Sequence, residues 1–317
     1  MARSISLPEA RASAAGATEA TQGTQATQAT RLHIYLMLAL GIICIALSAI
    51  FTKWAGVPGT VSAFYRIAIA EVVLTLPFAR AMARGRVTRD RRIWLLALGA
   101  GVFFALDLGL WNTSLFLTSA ANATLLGNDA PILVGLGALV LFHERLKGMY
   151  WVGLALALAG MGIIVSKDVL GHSSLGGGDL LAMSAGVAYA AYLLATQRIR
   201  AKMDTLSSLF IPSMAGVVLL LGFNLALHRP LWGFSAHTYL ALLAVGLISQ
   251  LVGWLAINYA LGHMRASIVS VTLLAQPVLT ALFAVPLLGE PLASNQILGG
   301  VVALAGIYLV NRSAAKR

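Results

Sequence analysis

From residue 32 onward the chain runs through one apolar stretch after another, parted by short loops that carry Arg, Lys, Gly or Pro. A bilayer core about 30 Å thick takes about 20 apolar residues per helix. With no water there to satisfy the backbone, helices whose hydrogen bonds close internally are the structures such stretches can form. Ten windows fit, at about 33–53, 60–80, 93–112, 120–142, 149–166, 179–198, 206–227, 238–261, 266–288 and 295–311, with ends good to two to four residues. Composition agrees: 59% of the 317 residues are hydrophobic and 10% charged, against about half and a quarter in soluble domains.

Residues 1–31 differ. Their Ala, Thr, Gln and Ser, with a repeated Thr-Gln, are too polar to bury a core, so a disordered tail is expected there. The first apolar segment begins near Leu32, too far along for a cleaved secretory leader, and reads as a retained anchor. Of the 22 Lys and Arg, eighteen fall on loops that share one side if the N-terminus is cytoplasmic. Lys53, Lys167 and Arg229 fall on the other, and Arg66 lies within a span. This bias predicts both termini in the cytoplasm and a multi-pass protein of the plasma membrane, the inner one in a bacterium. The net charge of +11 is then an orientation signal rather than a nucleic-acid footprint, which would need the basic groups gathered on one folded face. The single cysteine, Cys44, reads as a small packing residue. The six histidines are scattered among loops and span ends, so neither a metal nor a cofactor is expected.

The chain matches itself without gaps at a shift of 146: Asn112 with Asn258, Ala120 with Ala266, Pro131 with Pro277, Glu144 with Glu290, Leu146 with Leu292, Gly153 with Gly299 and Gly160 with Gly306. Two five-helix units follow, at 32–168 and 169–317. Five is odd, so the second unit enters the membrane from the opposite side. The fold class expected is an all-α membrane protein of ten transmembrane helices in two inverted five-helix repeats. Such pairs let a central site open to either side in turn, the layout of many secondary transporters. A channel, a membrane enzyme or an assembly factor could also arise by duplication.

The stretch from Leu110 to Leu126, followed by Pro131, His143-Glu144-Arg145-Leu146 and Gly153 to Gly160, resembles the EamA module of the drug/metabolite transporter superfamily. A second copy runs from Asn258-Tyr259-Ala260 through Pro277 and Gly289-Glu290-Pro291-Leu292 to Gly306, and Ala63-Phe64-Tyr65-Arg66 at the start of span 2 is also similar. His143 departs from the pattern, standing where the first copy often has a small residue. The resemblance implies a ten-helix carrier, often an exporter of amino acids or related metabolites, and members that resemble aromatic amino-acid exporters share the layout.

Charge within a span costs about 2.5–3.5 kcal/mol on insertion scales, so each such residue is a functional candidate. There are four: Arg66, Glu71, Asp107 and Asp129. At 1.5 Å per residue Arg66 and Asp107 lie at similar depth, about 9 and 8 Å from the outer ends of their spans. They could pair structurally, or Arg66 could hold a substrate carboxylate. Glu71, about 16 Å down, and Asp129, about 13 Å down, are candidates for proton coupling, or carboxyls hydrogen-bonded to a neighbouring helix. Asn122 shares a face with Asp129. The shift of 146 sets Val217, Ala275, Gly253 and Pro212 opposite Glu71, Asp129, Asp107 and Arg66, so the site is expected to be chemically asymmetric. Pro131 and Pro277, inside spans 4 and 9, free the carbonyls of Gly127 and Leu273; they mark either packing kinks or polar breaks beside Asn128 and Gln276.

Trp111, Trp254, Tyr189 and Tyr192 supply aromatic faces, with Asn258 as a polar neighbour, that could stack on an amphipathic ligand. Trp111 could instead belong to the interfacial belt, as is expected of Trp54, Trp94, Trp151 and Trp232. The Gly153, Ala157, Gly160 stripe and its copy at Gly299, Ala303, Gly306 read as close helix packing. Glu144 and Glu290, just before spans 5 and 10, could favour a helix N-terminus or serve as gates. No zincin, G-x-S-x-G or Walker spacing occurs. Gly176-Gly177-Gly178-Asp179 spells an aspartyl-protease pattern without the partner Tyr-Asp, and reads as a loop. The expected function is a non-enzymatic alternating-access exporter of small organic metabolites, foremost amino acids including aromatic ones, with protons as the candidate coupling ion. Export of amines, drugs or other metabolites, and a non-transporting lipid-handling scaffold, remain as alternatives.

Overall fold

The computed structural model describes residues 31–114, 117, 126–169, 176–289 and 292–315. Residues 1–30 of the expected tail, Ala120, Asn122, Glu290 and Pro291 lie outside them, while Arg31 already belongs to a helix. The described residues form helices and connections without a strand. In chain order the helices are α1 (Arg31–Ala55), α2 (Gly59–Ala83), α3 (Arg91–Ser114), α4 (Ala130–Leu141), α5 (Gly148–Val169), α6 (Gly177–Arg200), α7 (Thr205–Ala226), α8 (Ala236–Leu261), α9 (Ala266–Leu288) and α10 (Ser294–Ala315). Eight are long and apolar enough to cross a membrane; the apolar stretches Ala130–Leu141 and Gly148–Ile164 of α4 and α5 are shorter.

Side chains start several of them. Asp204 and Ser235 accept from the Ser207 and Thr238 amides, at 2.9 and 3.2 Å, capping α7 and α8. The Gly176–Asp179 run is not a free loop: Asp179 lies in the first turn of α6, where its carboxylate accepts from the Gly176 amide at 2.9 Å.

Four helices are interrupted within the bundle. A turn at Leu47 divides α1, residues 128–129 form a turn before α4, a π-helix spans Val245–Gly253 within α8, and a turn at Leu274 divides α9. Pro131 therefore stands in the first turn of α4 rather than inside a helix, where its missing N–H costs nothing. Pro277 follows the α9 turn by three residues.

The helices pack in pairs that mirror one another: α3 on α6 and α8 on α1, α3 on α7 and α8 on α2, α4 on α6 and α9 on α1, with α2 on α7, α4 on α9 and α5 on α10. Thr60 and Asn224 clasp α2 to α7, the hydroxyl donating to Oδ1 at 2.8 Å and Nδ2 to the Thr60 carbonyl at 3.0 Å. The two small-residue stripes meet each other. A Cβ on Gly153 would lie 2.8 Å from the Gly306 carbonyl, and one on Gly160 would lie 2.6 Å from that of Gly299. His143 adopts φ 52 and Gly289, at the corresponding position, φ 70. The left-handed backbone explains why a small residue suits this place and makes His143 the strained exception.

Gly160→Val should lower the unfolding free energy in detergent by about 1–3 kcal/mol, as expected when a seam is overpacked. Gly162→Ala, whose new Cβ meets open space, should leave it unchanged; equal effects would remove the seam's claim to hold α5 against α10.

Candidate functional site

A cavity of about 230 Å³ is lined by residues of α1, α2, α3, α6, α8 and α9 together with Gly127 and Asn128 ahead of α4. Arg66, Asp107, Trp111, Asn128, Tyr189, Trp254, Gln276 and Pro277 all stand in its wall.

The interruptions build this wall. At Leu47 the backbone of α1 turns, and three successive carbonyls are taken by side chains from the other half of the chain. The Ser249 hydroxyl donates to Cys44 O at 2.8 Å, Gln276 Nε2 to Ile45 O at 3.4 Å and the Thr280 hydroxyl to Ala46 O at 2.9 Å. In an apolar medium this is what lets a helix break. The turn also presents Ser48 to the cavity. In α8 the wider π-turn carries Ser249 and Gln250, both fully buried.

Arg66 joins the two irregular segments: Nε donates to Gln250 Oε1 at 2.9 Å and Nη1 to Ser48 Oγ at 3.2 Å. These two are its hydrogen-bond partners among the described residues. Asp107, which could have paired with it directly, lines the same cavity and acts on it as a nearby unlike charge. The guanidinium is thus held by neutral groups beside a carboxylate.

Aromatic rings close one side. Phe104 stacks on Tyr192 with centroids 4.7 Å apart and meets Trp254 edge-on at 5.0 Å, and Tyr189 meets Trp254 edge-on at 6.3 Å. Phe104, Tyr189 and Trp254 face the cavity. Tyr192, 1% exposed, forms a second layer behind them. Trp254 Nε1 and Gln250 Nε2 are buried donors without a partner among the described residues. Trp111 packs beside Gly127 in the wall.

Other expected residues lie outside the wall. Asn258 is fully buried, donates to Trp254 O at 3.0 Å and accepts from Ser208 Oγ at 3.4 Å, which holds α8 and α7 together. Glu71, 4% exposed, sits between α2 and α7 with both carboxyl oxygens lacking a hydrogen bond and the Ser213 hydroxyl nearby. Asp129 is the residue before α4; its carboxyl packs on the bare Cα of Gly186 in α6. Glu144 is no helix-terminal charge, because α5 begins only at Gly148. It is buried and accepts from Gln197 Nε2 at 3.3 Å and Ser267 Oγ at 2.8 Å, while Gln197 accepts from the Ala266 amide, so the loop before α5 is tied to α6 and α9. On the same side Lys202 pairs with Asp90 at 2.9 Å. That ammonium, with the Arg92 amide, holds the Asp90 carboxyl below its usual range. Ser48 and Phe104 are the site residues that sequence reasoning missed. Gln250 was legible as a polar residue one helical turn before Trp254 in an apolar span, on a face that could hold a ligand; its bond to Arg66 was not.

Gln250→Leu should cost about 1–3 kcal/mol of stability by leaving a buried donor of Arg66 unpaired. Ser48→Ala should cost less, since its bond is longer and lies at the cavity; thermal unfolding of both variants checks the order.

The EamA-like transporter family model matches residues 32–166 and 176–312. The chain is 28% identical over 254 residues to an uncharacterized transporter of Archaeoglobus fulgidus, covering 78% of this chain and 86% of that protein. It is 26% identical over 255 residues to a probable terminal-alkyne amino-acid exporter of Streptantibioticus cattleyicolor, covering 80% and 84%. A protein of known crystal structure superposes with a TM-score of 0.74 at 21% identity, over 89% of this chain and 98% of that one, a likeness of fold. With two family matches that together take in nearly all the described helices, the chain is a membrane protein that belongs to the EamA-like transporter family.

Proposed function

We propose that this chain is an alternating-access exporter of small organic metabolites, with amino acids, aromatic ones among them, as the substrate class. One observation carries the reading: a cation and an anion in the spans, Arg66 and Asp107, line one cavity with Trp111, Tyr189, Trp254 and Phe104. An amino acid offers a carboxylate to Arg66, an ammonium to Asp107 and an apolar side chain to the rings. An amine or cationic drug would use Asp107 and the rings but leave Arg66 idle. Arg66 held in place by Gln250 and Ser48 favours the carboxylated ligand. The relative described as a probable amino-acid exporter supports the same class.

The proposed architecture is ten spans in two inverted repeats. Each mirrored helix pair becomes its counterpart when α1–α5 exchange with α6–α10, and the α5–α10 seam is reciprocal, Gly153 meeting Gly306 and Gly160 meeting Gly299, as a two-fold relation requires. A further reciprocity explains the π-helix. Gly101 packs on Ala215 and Gly246 on Ile69; Ile69 and Ala215 stand 146 apart, but Gly101 and Gly246 only 145. Between Gly246 and Asn258 the second copy thus has one residue more than the first has between Gly101 and Asn112, and the π-turn absorbs it.

The charge bias places the loops that carry Arg84, Arg145, Lys202 and Arg265 in the cytoplasm of a plasma-membrane protein. The cavity wall reaches Thr52 and Gly59 at the opposite end, while Glu144, Gln197 and Ser267 tie the helices on the cytoplasmic side. This arrangement is the outward-facing state. Glu71 and Asp129 are the proton-coupling candidates, because each has a buried carboxyl oxygen without a hydrogen-bond partner among the described residues.

In liposomes containing the purified protein, saturable uptake of radiolabelled amino acids is expected, with aromatic ones competing best. Arg66→Ala should reduce uptake of carboxylated substrates at least about tenfold, on the scale of a lost buried charge partner, and that of amines less. Equal losses would return Arg66 to a structural role. Joint Glu71→Gln and Asp129→Asn should abolish the response to an imposed pH gradient; an unchanged response would exclude both as coupling groups.

A further inference from the structure

A second cavity, of about 270 Å³, lies away from the first, at the ends of the helices that carry the basic loops. Its wall takes Arg31, Ile34 and Tyr35 from the start of α1, Arg145, Leu146 and Lys147 from the loop before α5, and Tyr150 from α5. His263, Met264 and Arg265 from the loop between α8 and α9, Ile268 from α9 and Ser313 from α10 complete it. Four permanent cations from three separated segments converge there, and among the described residues no Asp or Glu lines the cavity.

The surroundings separate this from an ordinary solvated basic face. Glu144, the acid next in sequence, turns inward and is occupied by Ser267 and Gln197. Arg31, Arg145, Lys147 and Arg265 are exposed, whereas Tyr150 is 1% exposed and forms the floor. The remaining wall is largely apolar, through Ile34, Leu146, Met264 and Ile268. Tyr35 and Leu36 on the α1 flank are 39% and 58% exposed, on the membrane side of the cations.

We infer that this cavity binds the phosphate-bearing headgroup of an anionic phospholipid. A phosphodiester carries one negative charge and several acceptor oxygens, which arginine forks match in geometry and lysine in charge. Basic pockets between helices at the level of the headgroups are suited to such lipids. The mixed wall distinguishes the lipid from a free anion, because a glycerol backbone and the first methylenes of an acyl chain can lie on Ile34, Tyr35 and Leu146 while the phosphate faces the cations. The segments joined are the start of α1 and the loop before α5 in one half and the α8–α9 loop and the end of α10 in the other. A headgroup seated there bridges the two halves beside the Glu144 tie. The inference is independent of the transported substrate.

The test uses the full-length protein, delipidated in neutral detergent, with phosphatidylglycerol and phosphatidylcholine of identical chains as probes. Native mass spectrometry should show one phosphatidylglycerol retained per chain and thermal unfolding should shift upward with it, phosphatidylcholine doing neither. The combined variant Arg145→Gln, Lys147→Gln, Arg265→Gln should weaken retention at least tenfold. Arg145→Lys, Lys147→Arg, Arg265→Lys should keep it, as should Arg84→Gln, Arg86→Gln, Arg89→Gln, which removes as much charge from the α2–α3 loop. Equal loss in that loop variant would reduce the effect to general surface charge and overturn the site. Inorganic phosphate protecting the protein as well as the lipid does, at equal concentration, would assign the cavity to a free anion and overturn the lipid.

Discussion

In a bilayer each backbone amide and carbonyl must find its partner within the protein, and the central cavity exists because this chain meets that demand at places where its helices break. The carbonyls of Cys44, Ile45 and Ala46 would be orphaned by the turn at Leu47; Ser249, Gln276 and Thr280 accommodate them. All three come from the second half of the chain, so the break in α1 and the packing of α8 and α9 against it are one structure. The same arrangement delivers Ser48 and Gln250 to Arg66. An arginine in a span is tolerated where acceptors surround it and an unlike charge lies near; the acceptors come from the α1 turn and the π-helix, and the charge, Asp107, from the regular helix α3.

The outline was legible in the sequence because it rests on length and hydrophobicity alone. Spans such as Gly59–Ala83 and Arg91–Ser114 contain the apolar windows at 60–80 and 93–112, and the four intramembrane charges singled out Arg66 and Asp107, which do share a cavity. The interruptions were not legible. Leu47 has neither proline nor glycine beside it, so nothing local announces the turn; its cause lies in side chains more than 200 positions away. The π-helix is likewise invisible to a periodicity of 3.6, so the sequence put Gln250 on the Trp254 face without its bond to Arg66. Pro131 was visible but ambiguous, since a proline inside an apolar run marks a kink or a helix start alike, and the turn at 128–129 makes it a start.

Helical spacing also overstated the aromatic wall. Tyr189 and Tyr192 lie three residues apart on one side of α6, and that spacing does not determine which ring reaches the cavity and which is covered. Phe104 decides it: stacked on Tyr192, it takes the place in the cavity wall and leaves Tyr192 in the second layer. Asn258 matched Asn112 in the repeat and looked like a site residue, yet both asparagines donate to the carbonyl four residues earlier, at 3.0 and 2.6 Å. Only Asn112 touches the cavity. At these matched positions the local bond is the same and the surroundings differ.

That divergence divides the labour between the halves. The first contributes the charges, Arg66 and Asp107, with Ser48, and the second contributes neutral groups around Arg66, Gln250 directly and Gln276 through the α1 turn. A carrier that exposes one site to two sides must break contacts on one side and make them on the other at similar cost. A charged pair duplicated in both halves would oppose this, because each rearrangement would strand a buried charge. On the proposed alternating-access reading, with the charges on α2 and α3 and neutral Gln250 opposite Arg66, a shift of the second half would trade hydrogen bonds of modest net worth. The asymmetry read from the sequence is therefore what the proposed moving site would require, with the electrostatic cost anchored in one half and adjustable contacts in the other.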